Sequence, residues 1–206
     1  MTDLGKRLRK YFIMGSQNCD RDPVEILTEA IQGGITAFQF REKGPGSLSG
    51  HAKLDLGKKL RTICEHNGVL FFINDDIDLV TPLGADGIHV GQDDTSVQYI
   101  RERYPNKIIG LSVSNYEELT QSHLESVDYI GAGAIFSTAT KKDANRPVGV
   151  EWIKFLKHRY PDIPVVGIGG ITVQNAQLVI DAGADGVSFI SALTEASNIQ
   201  AVLEKL

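Results

Sequence analysis

Cysteine is scarce in this sequence. Cys19 and Cys64 are the two thiols among 206 residues, and they lie far apart and in no CxxC pattern. Disulfides are rare in reducing compartments, and two isolated thiols supply no disulfide framework. We therefore interpret both cysteines as packing residues of a protein whose fold does not depend on disulfides.

Long hydrophobic runs are lacking as well. Near the start of the sequence, the basic stretch 6–10 is followed by only four apolar residues, 11–14, before Gly15. Four residues are too few for the apolar core of a secretory signal or for a membrane-spanning helix. We therefore expect a cytoplasmic protein that does not bind membranes.

An excess of positive charge is also missing. The sequence has 21 lysines and arginines against 26 acidic residues, which gives a formal net charge of -5. Nucleic-acid-binding proteins usually carry a basic face, so we expect no nucleic-acid partner. An anionic ligand would have to be held by local cations, by backbone N–H groups or by a metal ion.

The motifs of zinc enzymes and serine hydrolases are not found. The sequence has no HExxH, no Cys/His cluster and no Gly-x-Ser-x-Gly, so neither chemistry is indicated. Four of the five histidines fall in helical patterns. His89 falls inside a predicted strand, where we interpret it as a core group or as a group that supports a site.

Short apolar runs alternate with longer amphipathic segments along the whole chain. Predicted strands begin at Tyr11, Ala37, Leu70, Gly87, Ile108, Tyr129, Val165 and Gly186, and predicted helices cover 23–32, 48–66, 96–104, 116–124, 150–158 and 173–181. Helical crossovers indicate parallel strands. Eight such units predict a single (β/α)8 TIM barrel over residues 1–206, with a short N-terminal helical extension, and an open doubly wound sheet is the alternative.

A weak internal repeat favours the barrel. Ala-Gly-Ala-Asp-Gly-Val at 182–187 precedes the eighth predicted strand, Leu-Gly-Ala-Asp-Gly-Ile at 83–88 precedes the fourth, and Ser-Val-Asp-Tyr at 126–129 precedes the sixth. Glycine suits the C-terminus of a helix, and an aspartate can close the turn into the strand. We interpret the repeat as structural rather than chemical.

Active sites of (β/α)8 barrels lie at the carboxyl ends of the strands. After the second predicted strand, alternation directs Gln39 and Arg41 toward the barrel mouth, followed by Lys43, and it directs Phe38 and Phe40 toward the helices. A solvated run of charges would not explain an inward-facing glutamine. The pattern therefore predicts an anion-binding site.

Acidic residues follow the third and fourth predicted strands, where Asn74, Asp75 and Asp76 end one strand and Asp93 and Asp94 follow the other. Neighbouring strands lie about 4.8 Å apart, so these side chains can converge. Mg²⁺ prefers a few carboxylates together with water and phosphate oxygens. Helix N-capping is the alternative for some of them, and we favour Asp75 and Asp94 as the metal ligands.

The remaining strands carry signals of different strength. Ser112 is predicted to face inward, which by itself also fits a small core residue. The loop 137–142 is rich in hydroxyls and lysines that can bind phosphate oxygens, with a solvated polar loop as the alternative, and Gly169 and Gly170 follow the seventh predicted strand. In this architecture, glycine-rich loops after strands seven and eight commonly bind phosphate through backbone N–H groups. We therefore predict a second phosphate site there, with Ser191 after the eighth strand.

Together these motifs resemble the thiamine-phosphate synthase family. The matching segments, in order, are Gln-Phe-Arg-Glu-Lys at 39–43, Asn-Asp-Asp at 74–76, His-Val-Gly-Gln-Asp-Asp at 89–94, Thr-Ala-Thr-Lys at 138–141 and Gly-Ile-Gly-Gly-Ile at 167–171. The resemblance covers residues 11 to about 191. It implies an enzyme that joins hydroxymethylpyrimidine diphosphate to a thiazole phosphate, giving thiamine phosphate and pyrophosphate, with Mg²⁺ as cofactor.

The resemblance also implies roles for individual residues. The pyrimidine diphosphate would be bound by segment 39–43 with Asn74, Ser112 and Lys141; that segment comprises Gln39, Phe40, Arg41, Glu42 and Lys43. The thiazole phosphate would be surrounded by Thr138, Ala139, Thr140, Gly170, Ile190 and Ser191. Asp75 and Asp94 would hold Mg²⁺. The catalytic residues would be Arg41, Lys43, Ser112 and Lys141, acting on the leaving pyrophosphate.

Two other functions fit the same scaffold. A thiazole tautomerase would share the thiazole-phosphate pocket, but it would not need Arg41, Lys43, Asp75, Asp94 and Lys141 together. A non-catalytic regulator would bind thiazole phosphate and form no product. One departure from the family is Ser137, where proline is frequent, which bears on the rigidity of that loop. Self-association into a homo-oligomer is left open.

Overall fold

The computed structural model describes residues 2–138 and 146–206. In these two ranges, eight parallel strands form a closed barrel in sequence order, with β8 paired to β1. The strands are β1 (Lys10–Met14), β2 (Ala37–Phe40), β3 (Leu70–Asn74), β4 (Gly87–Val90), β5 (Ile108–Val113), β6 (Tyr129–Ala132), β7 (Val165–Gly167) and β8 (Gly186–Phe189). The predicted TIM barrel is confirmed, and the open sheet is wrong because the barrel is closed.

Helices surround the barrel. They are α1 (Asp3–Arg7), α2 (Pro23–Gln32), α3 (Gly50–His66), α4 (Val97–Arg103), α5 (Tyr116–Gln121), α6 (Val150–Arg159), α7 (Ala176–Asp181), α8 (Ser191–Thr194) and α9 (Ile199–Leu203). The β3–β4 connection contains a 3₁₀ turn, Ile77–Leu79, in place of a long helix. Within the described ranges, no helix has the length and hydrophobicity needed to cross a membrane.

Two predicted helices are shorter than expected. The segment predicted to be helical over 116–124 divides at Ser122, which has extended backbone angles, into α5 and the 3₁₀ turn Leu124–Ser126. The helix predicted from 173 begins only at Ala176. Before it, the Asn175 side chain accepts a hydrogen bond from Thr172 N and donates one to Gly170 O. These two bonds hold residues 172–175 in a turn, so the regular helix starts after them.

Strand side chains alternate between two apolar layers. Outward-facing residues such as Phe12, Phe38 and Phe71 are fully buried between strands and helices, and burial of each such ring contributes about 1.5–3 kcal/mol. The inner layer fills the barrel, and its buried apolar members are Leu8, Tyr11, Ile13, Ala37, Leu70, Phe72, Tyr129 and Val166. Because Leu8 directly follows α1, that helix closes the amino end of the barrel.

Both thiols fit the packing interpretation. Cys64 is buried on α3, and burial raises the pKa of its thiol to about 12. Cys19 is half-buried, and burial together with the charges of Glu42, Asp20 and Asp22 raises its pKa to about 11. Neither side chain carries an appreciable thiolate fraction near neutral pH.

The repeated aspartates join helices to strands. Asp86, Asp128 and Asp185 each stand just before a strand, and each carboxylate accepts a hydrogen bond from a backbone N–H near the start of the neighbouring strand. Each also pairs with a basic side chain of a preceding helix. Asp86 accepts from Phe71 N (2.8 Å) and pairs with Arg61 (3.1 Å). Asp128 accepts from Ile109 N (2.7 Å) and pairs with Arg101 (2.6 Å). Asp185 accepts from Val165 N (2.9 Å) and pairs with Lys157 (3.0 Å). The repeat is therefore a strand-to-strand link rather than a local turn.

Removal of one link should be costly. Asp185→Ala should lower the free energy of unfolding by about 3 kcal/mol, because it leaves the buried Val165 N–H without its acceptor and Lys157 without its carboxylate. Urea unfolding at pH 7 measures this. The matched control is Asp181→Ala, an exposed residue of α7 bonded to Gln177, which should cost about 0.5 kcal/mol or less. If Asp185→Ala lowers the free energy of unfolding no more than Asp181→Ala does, the link contributes nothing to stability.

Candidate functional site

A cavity of about 470 Å³ opens at the carboxyl ends of the strands. All eight strands or the loops that follow them contribute residues to its wall. The predicted site residues that line it are Gln39, Arg41, Lys43, Asn74, Asp75, Asp94, Ser112, Thr138, Gly170, Ile190 and Ser191. The structure thus brings together side chains that are up to about 150 positions apart in the sequence.

One end of the cavity is formed by two carboxylates and a lysine. The Lys43 ammonium contacts Asp75 Oδ2 and lies 3.3 Å from Asp94 Oδ1. Asp94 is fixed further by Gly91 N, which donates to its Oδ2 at 2.8 Å. Because Ser96 caps the helix that follows, the capping alternative does not apply to Asp94, and its carboxylate faces the cavity.

The electrostatics of this end favour a bound cation. Burial, with the neighbouring Asp94 carboxylate, raises the pKa of Asp75 to about 6. Burial opposes ionisation of Asp94, but hydrogen bonds with Asp75, Gly91 and Lys43 lower its pKa. Partial burial would lower the pKa of Lys43, yet pairing with both carboxylates raises it. Two carboxylates this close require a proton, an ammonium group or a metal ion between them.

The backbone at Asp75 is unusual for a residue with a side chain. Its φ is +59°, in the left-handed region that residues other than glycine, asparagine and aspartate seldom adopt. The conformation is held by the hydrogen bond from Asp75 N to His89 O at 3.0 Å, which continues the pairing of β3 with β4. Aspartate is one of the few residue types with a side chain that tolerate this region, and at this position its carboxylate lies beside that of Asp94.

The donor set fits Mg²⁺ better than zinc. In the described ranges, no group of three or more His, Cys, Asp or Glu side chains could hold a metal ion. Mg²⁺ needs only one or two carboxylates when substrate phosphates and water complete its shell, and Asp75 with Asp94 supplies that number. Asp76 is engaged elsewhere, because it pairs with Lys53 at 2.7 Å and is not part of the cavity wall.

Two residues of segment 39–43 do not face the cavity. Phe40 is buried on the helix side of the barrel, stacked with Phe71. Glu42 accepts hydrogen bonds from Ser16 N, from Ser16 Oγ at 3.1 Å and from Leu48 N at 2.7 Å. These two side chains therefore do not line the cavity. Alternation turns Phe40 outward, and Glu42 anchors the loop that carries its two basic neighbours.

The opposite end of the cavity is formed by backbone. Gly170 has φ +64°, and a Cβ there would lie 2.4 Å from Ser137 O; Gly169 has φ +91°, and a Cβ there would lie 2.7 Å from Ala134 Cα. Both positions therefore need glycine for conformation and for close approach to the loop after β6. Ser191, the first residue of α8, completes this wall. This glycine-lined surface suits an oxyanion.

A chain of polar side chains crosses the barrel beneath the cavity. It runs from Gln39 through Tyr11, Tyr129 and His89 to Ser112, with each link between 2.8 and 3.0 Å. Sequence reasoning placed Gln39 and Ser112 inward but did not find the two tyrosines. Alternation along the strand is the sequence signal that could have found them, because Tyr11 and Tyr129 lie on the inward-facing sides of β1 and β6.

Comparison with known proteins decides the family. The family model for thiamine monophosphate synthase matches residues 10–193, which is most of the chain. The chain belongs to the thiamine monophosphate synthase family. It is 60% identical to a thiamine-phosphate synthase of Oceanobacillus iheyensis over 199 residues, covering 97% of each chain. It is 47% identical to one of Bacillus thuringiensis over 204 residues, covering 99% of this chain and 93% of the relative.

The fold agrees with a solved member of that family. The thiamine phosphate pyrophosphorylase of Pyrococcus furiosus superposes with a TM-score of 0.87 at 35% identity, covering 99% of this chain and 96% of that one. The resemblance stated from the motifs is thus confirmed, and the chain is an enzyme of a transferase family.

Part of the predicted site lies outside the described residues. Ala139, Thr140 and Lys141 fall in 139–145, so the structure gives no position for them. Other cavity residues were missed by sequence reasoning. These are Ile13, Ser114, Gly133, Ala134, Ile168, Thr172, Ser188 and Glu195. Period-two alternation within β1 and β8 would have found Ile13 and Ser188. Its continuation past the ends of β5 and β7 would have found Ser114 and Ile168.

Proposed function

We propose that this member of the thiamine-phosphate synthase family catalyses the Mg²⁺-dependent coupling of hydroxymethylpyrimidine diphosphate with thiazole phosphate. The products are thiamine phosphate and pyrophosphate. The observation that carries the proposal is the division of one cavity into two chemically different ends. The Asp75–Asp94–Lys43 end suits a metal-bound diphosphate, and the Gly169–Gly170 end suits a simple phosphate.

At the diphosphate end, the chain supplies both signs of charge. Arg41 and Lys43 would contact the diphosphate oxygens, because cations that bind phosphate gain charge-assisted hydrogen bonds. Asp75 and Asp94 would hold Mg²⁺, which when bound would neutralise part of the diphosphate charge. Lys43 lies between those carboxylates and would turn from them to the diphosphate when the metal takes its place. Lys141 would act on the same oxygens.

The reaction would be dissociative. As the C–O bond to pyrophosphate breaks, negative charge grows on the leaving group, and Arg41, Lys43 and Ser112 would stabilise it more strongly than in the ground state. The electron-rich aminopyrimidine would carry the positive charge left on its methylene carbon. Gln39, whose amide lies at the base of the cavity, would orient that ring.

The second substrate would supply the nucleophile. With its phosphate held by Thr138, Gly170 and Ser191, the thiazole would present its ring nitrogen to the methylene carbon from the other end of the cavity. Holding both partners in one cavity of about 470 Å³ replaces a bimolecular encounter by an oriented one. The mechanism needs no side-chain nucleophile.

The two ends can be tested separately by calorimetry. We expect inorganic pyrophosphate to bind only in the presence of Mg²⁺, because the carboxylates repel it otherwise. We expect thiazole phosphate to bind with or without Mg²⁺. A regulator that binds only thiazole phosphate, or a tautomerase, would show no Mg²⁺-dependent pyrophosphate site. An equal Mg²⁺ requirement for both ligands would contradict the division into two ends.

The phosphate end has its own mutational test. Gly170→Ala should weaken thiazole-phosphate binding by about tenfold or more, because the added methyl group meets Ser137 O at 2.4 Å and the φ of +64° disfavours alanine. Pyrophosphate binding should change by less than about twofold. Gly68→Ala is the matched control, since φ there is +68° with no atom within 4 Å. If both variants bind thiazole phosphate normally, the phosphate is held elsewhere.

A further inference from the structure

The polar chain inside the barrel has a fixed geometry. Gln39 Nε2 donates to the Tyr11 hydroxyl at 3.0 Å, and the hydroxyls of Tyr11 and Tyr129 lie 2.9 Å apart. His89 Nδ1 lies 2.8 Å from the Tyr129 hydroxyl, and His89 Nε2 lies 2.8 Å from Ser112 Oγ. The chain begins and ends at residues of the cavity wall and spans the barrel from β2 to β5.

The donor at one end determines the direction of every later link. Because Gln39 donates to the oxygen of Tyr11, the Tyr11 O–H is directed to the oxygen of Tyr129. The Tyr129 O–H then has His89 Nδ1 as its acceptor. A neutral imidazole that accepts at Nδ1 carries its proton at Nε2. His89 Nε2–H therefore donates to Ser112 Oγ, and the Ser112 O–H is left to donate to a ligand.

We propose that this chain is a directional relay whose role is to keep Ser112 a hydrogen-bond donor toward the cavity. Gln39, Tyr11, Tyr129 and His89 then form the relay, and Tyr129 and His89 are positioning residues that act through Ser112. This inference rests on the proposed function, in which the Ser112 O–H donates to an oxygen of the leaving diphosphate. A serine held as a donor would strengthen its hydrogen bond as negative charge grows there.

Packing alone does not account for the chain. Gln39, Tyr11, Tyr129 and His89 are between 0% and 5% exposed, and buried polar groups cost free energy unless each is hydrogen-bonded. Apolar side chains of similar volume would fill the same layer, as Phe72 and Val166 do. The polar members are instead linked in one continuous order from Gln39 to Ser112, which is the arrangement a relay requires.

The tautomer of His89 tests the proposal without any substrate. In ¹⁵N-labelled protein at pH 8, two-dimensional NMR of the imidazole nitrogens should show His89 as the Nε2–H form, with Nδ1 unprotonated. A His89→Gln variant identifies the signal among the five histidines. A Nδ1–H form, or a ring protonated at both nitrogens, would overturn the proposed direction.

Reversal of the relay gives a second test. In Gln39→Glu at pH 9, well above the ordinary pKa of a carboxyl group, the new side chain only accepts hydrogen bonds. The Tyr11 O–H would then turn to it, the Tyr129 O–H would turn to Tyr11, and His89 would donate from Nδ1. The NMR signature should change to the Nδ1–H form. Retention of the Nε2–H form would show that the two ends are not coupled.

A double-mutant cycle connects the relay to function. Tyr129→Phe should lower kcat about tenfold with a smaller change in KM, and Ser112→Ala should lower kcat roughly a hundredfold. If Tyr129 acts through Ser112, adding Tyr129→Phe to Ser112→Ala should change kcat by less than about twofold. If Tyr129→Phe lowers kcat by the same factor in the wild type and in Ser112→Ala, the two residues act independently and the relay is overturned.

The control for this cycle is Tyr104→Phe. It also removes a tyrosine hydroxyl, one that donates to Ile77 O at 3.1 Å and interacts with Arg103. Because that hydroxyl lies outside the cavity, kcat and the His89 tautomer should not change. If the wild-type protein shows no turnover, the proposed function fails. The same cycle is then measured on the dissociation constant of inorganic pyrophosphate with Mg²⁺, so the relay is judged separately. If Tyr129→Phe weakens pyrophosphate binding by the same factor in the wild type and in Ser112→Ala, the relay is overturned there as well.

Discussion

Replacement of Asp75 with asparagine should stabilise the metal-free protein at pH 8 while removing most of its turnover. Burial and the Asp94 carboxylate raise the pKa of Asp75 from 3.8 to about 6, so its ionised form is disfavoured in the folded state. The ionised Asp75 therefore lowers the free energy of unfolding. This effect is absent below about pH 4 and grows as the pH rises through 6. Asparagine removes that charge and keeps the shape.

The expected gain can be measured against pH. In the presence of a chelator, urea unfolding at pH 8 should show Asp75→Asn more stable than the wild type by about 2 kcal/mol. At pH 4 the difference should nearly vanish. Mg²⁺ should stabilise the wild type but not the variant, because ligand binding to the folded state adds stability. A pH-independent difference would contradict the assignment of the raised pKa to Asp75.

The loss of turnover should be large. Without one of its two carboxylates, the site would hold Mg²⁺ poorly, and kcat/KM should fall by about 10²–10³-fold. Asp76→Asn is the matched control, since Asp76 is the next residue in the chain but pairs with Lys53 outside the cavity. That variant should retain turnover within about threefold. Comparable losses in both variants would mean that the metal-binding residues have been misassigned.

Removal of Lys43 should have the second large effect. Lys43→Ala should lower kcat by about 10²-fold, because the leaving diphosphate loses a cation that it needs most in the transition state. Thiazole-phosphate binding should change by less than about twofold, since that substrate would lie at the opposite end of the cavity. Steady-state kinetics and calorimetry measure the two quantities on the same preparation.

A control for Lys43→Ala exists on the outer side of the barrel. Lys53 pairs with Asp76 at 2.7 Å, so Lys53→Ala removes a lysine and an ion pair without touching the cavity. We expect near-normal kcat for that variant. Equal losses of turnover and of thiazole-phosphate binding in Lys43→Ala would show that the two ends of the cavity have been exchanged or do not exist.

Local periodicity was sufficient to predict much of this site. Alternation in β2 placed Gln39 inward and Phe38 outward, and alternation in β5 placed Ser112 inward between Leu111 and Val113; the structure has each of them so. Asp75 and Asp94 were placed at one pole because consecutive barrel strands are neighbours, and Lys43 lies against both. Period and strand order are properties that a sequence carries directly.

Contacts between distant segments could not be predicted in the same way. Glu42 reads as one member of a charged run, and only the folded chain shows that it holds Ser16 and Leu48. The Tyr11–Tyr129 link joins residues 118 positions apart. Likewise, Asp185 reaches the start of the neighbouring strand instead of closing its own turn. These contacts depend on barrel closure and register, which no local pattern specifies.

The central claim is that one cavity brings a metal-bound diphosphate and a simple phosphate together for coupling. The most direct test mixes the purified protein with hydroxymethylpyrimidine diphosphate and thiazole phosphate, with and without Mg²⁺, and follows pyrophosphate release. We predict pyrophosphate formed in step with thiamine phosphate, only when both substrates and Mg²⁺ are present. Absence of Mg²⁺-dependent pyrophosphate release under these conditions would contradict the proposed synthase activity.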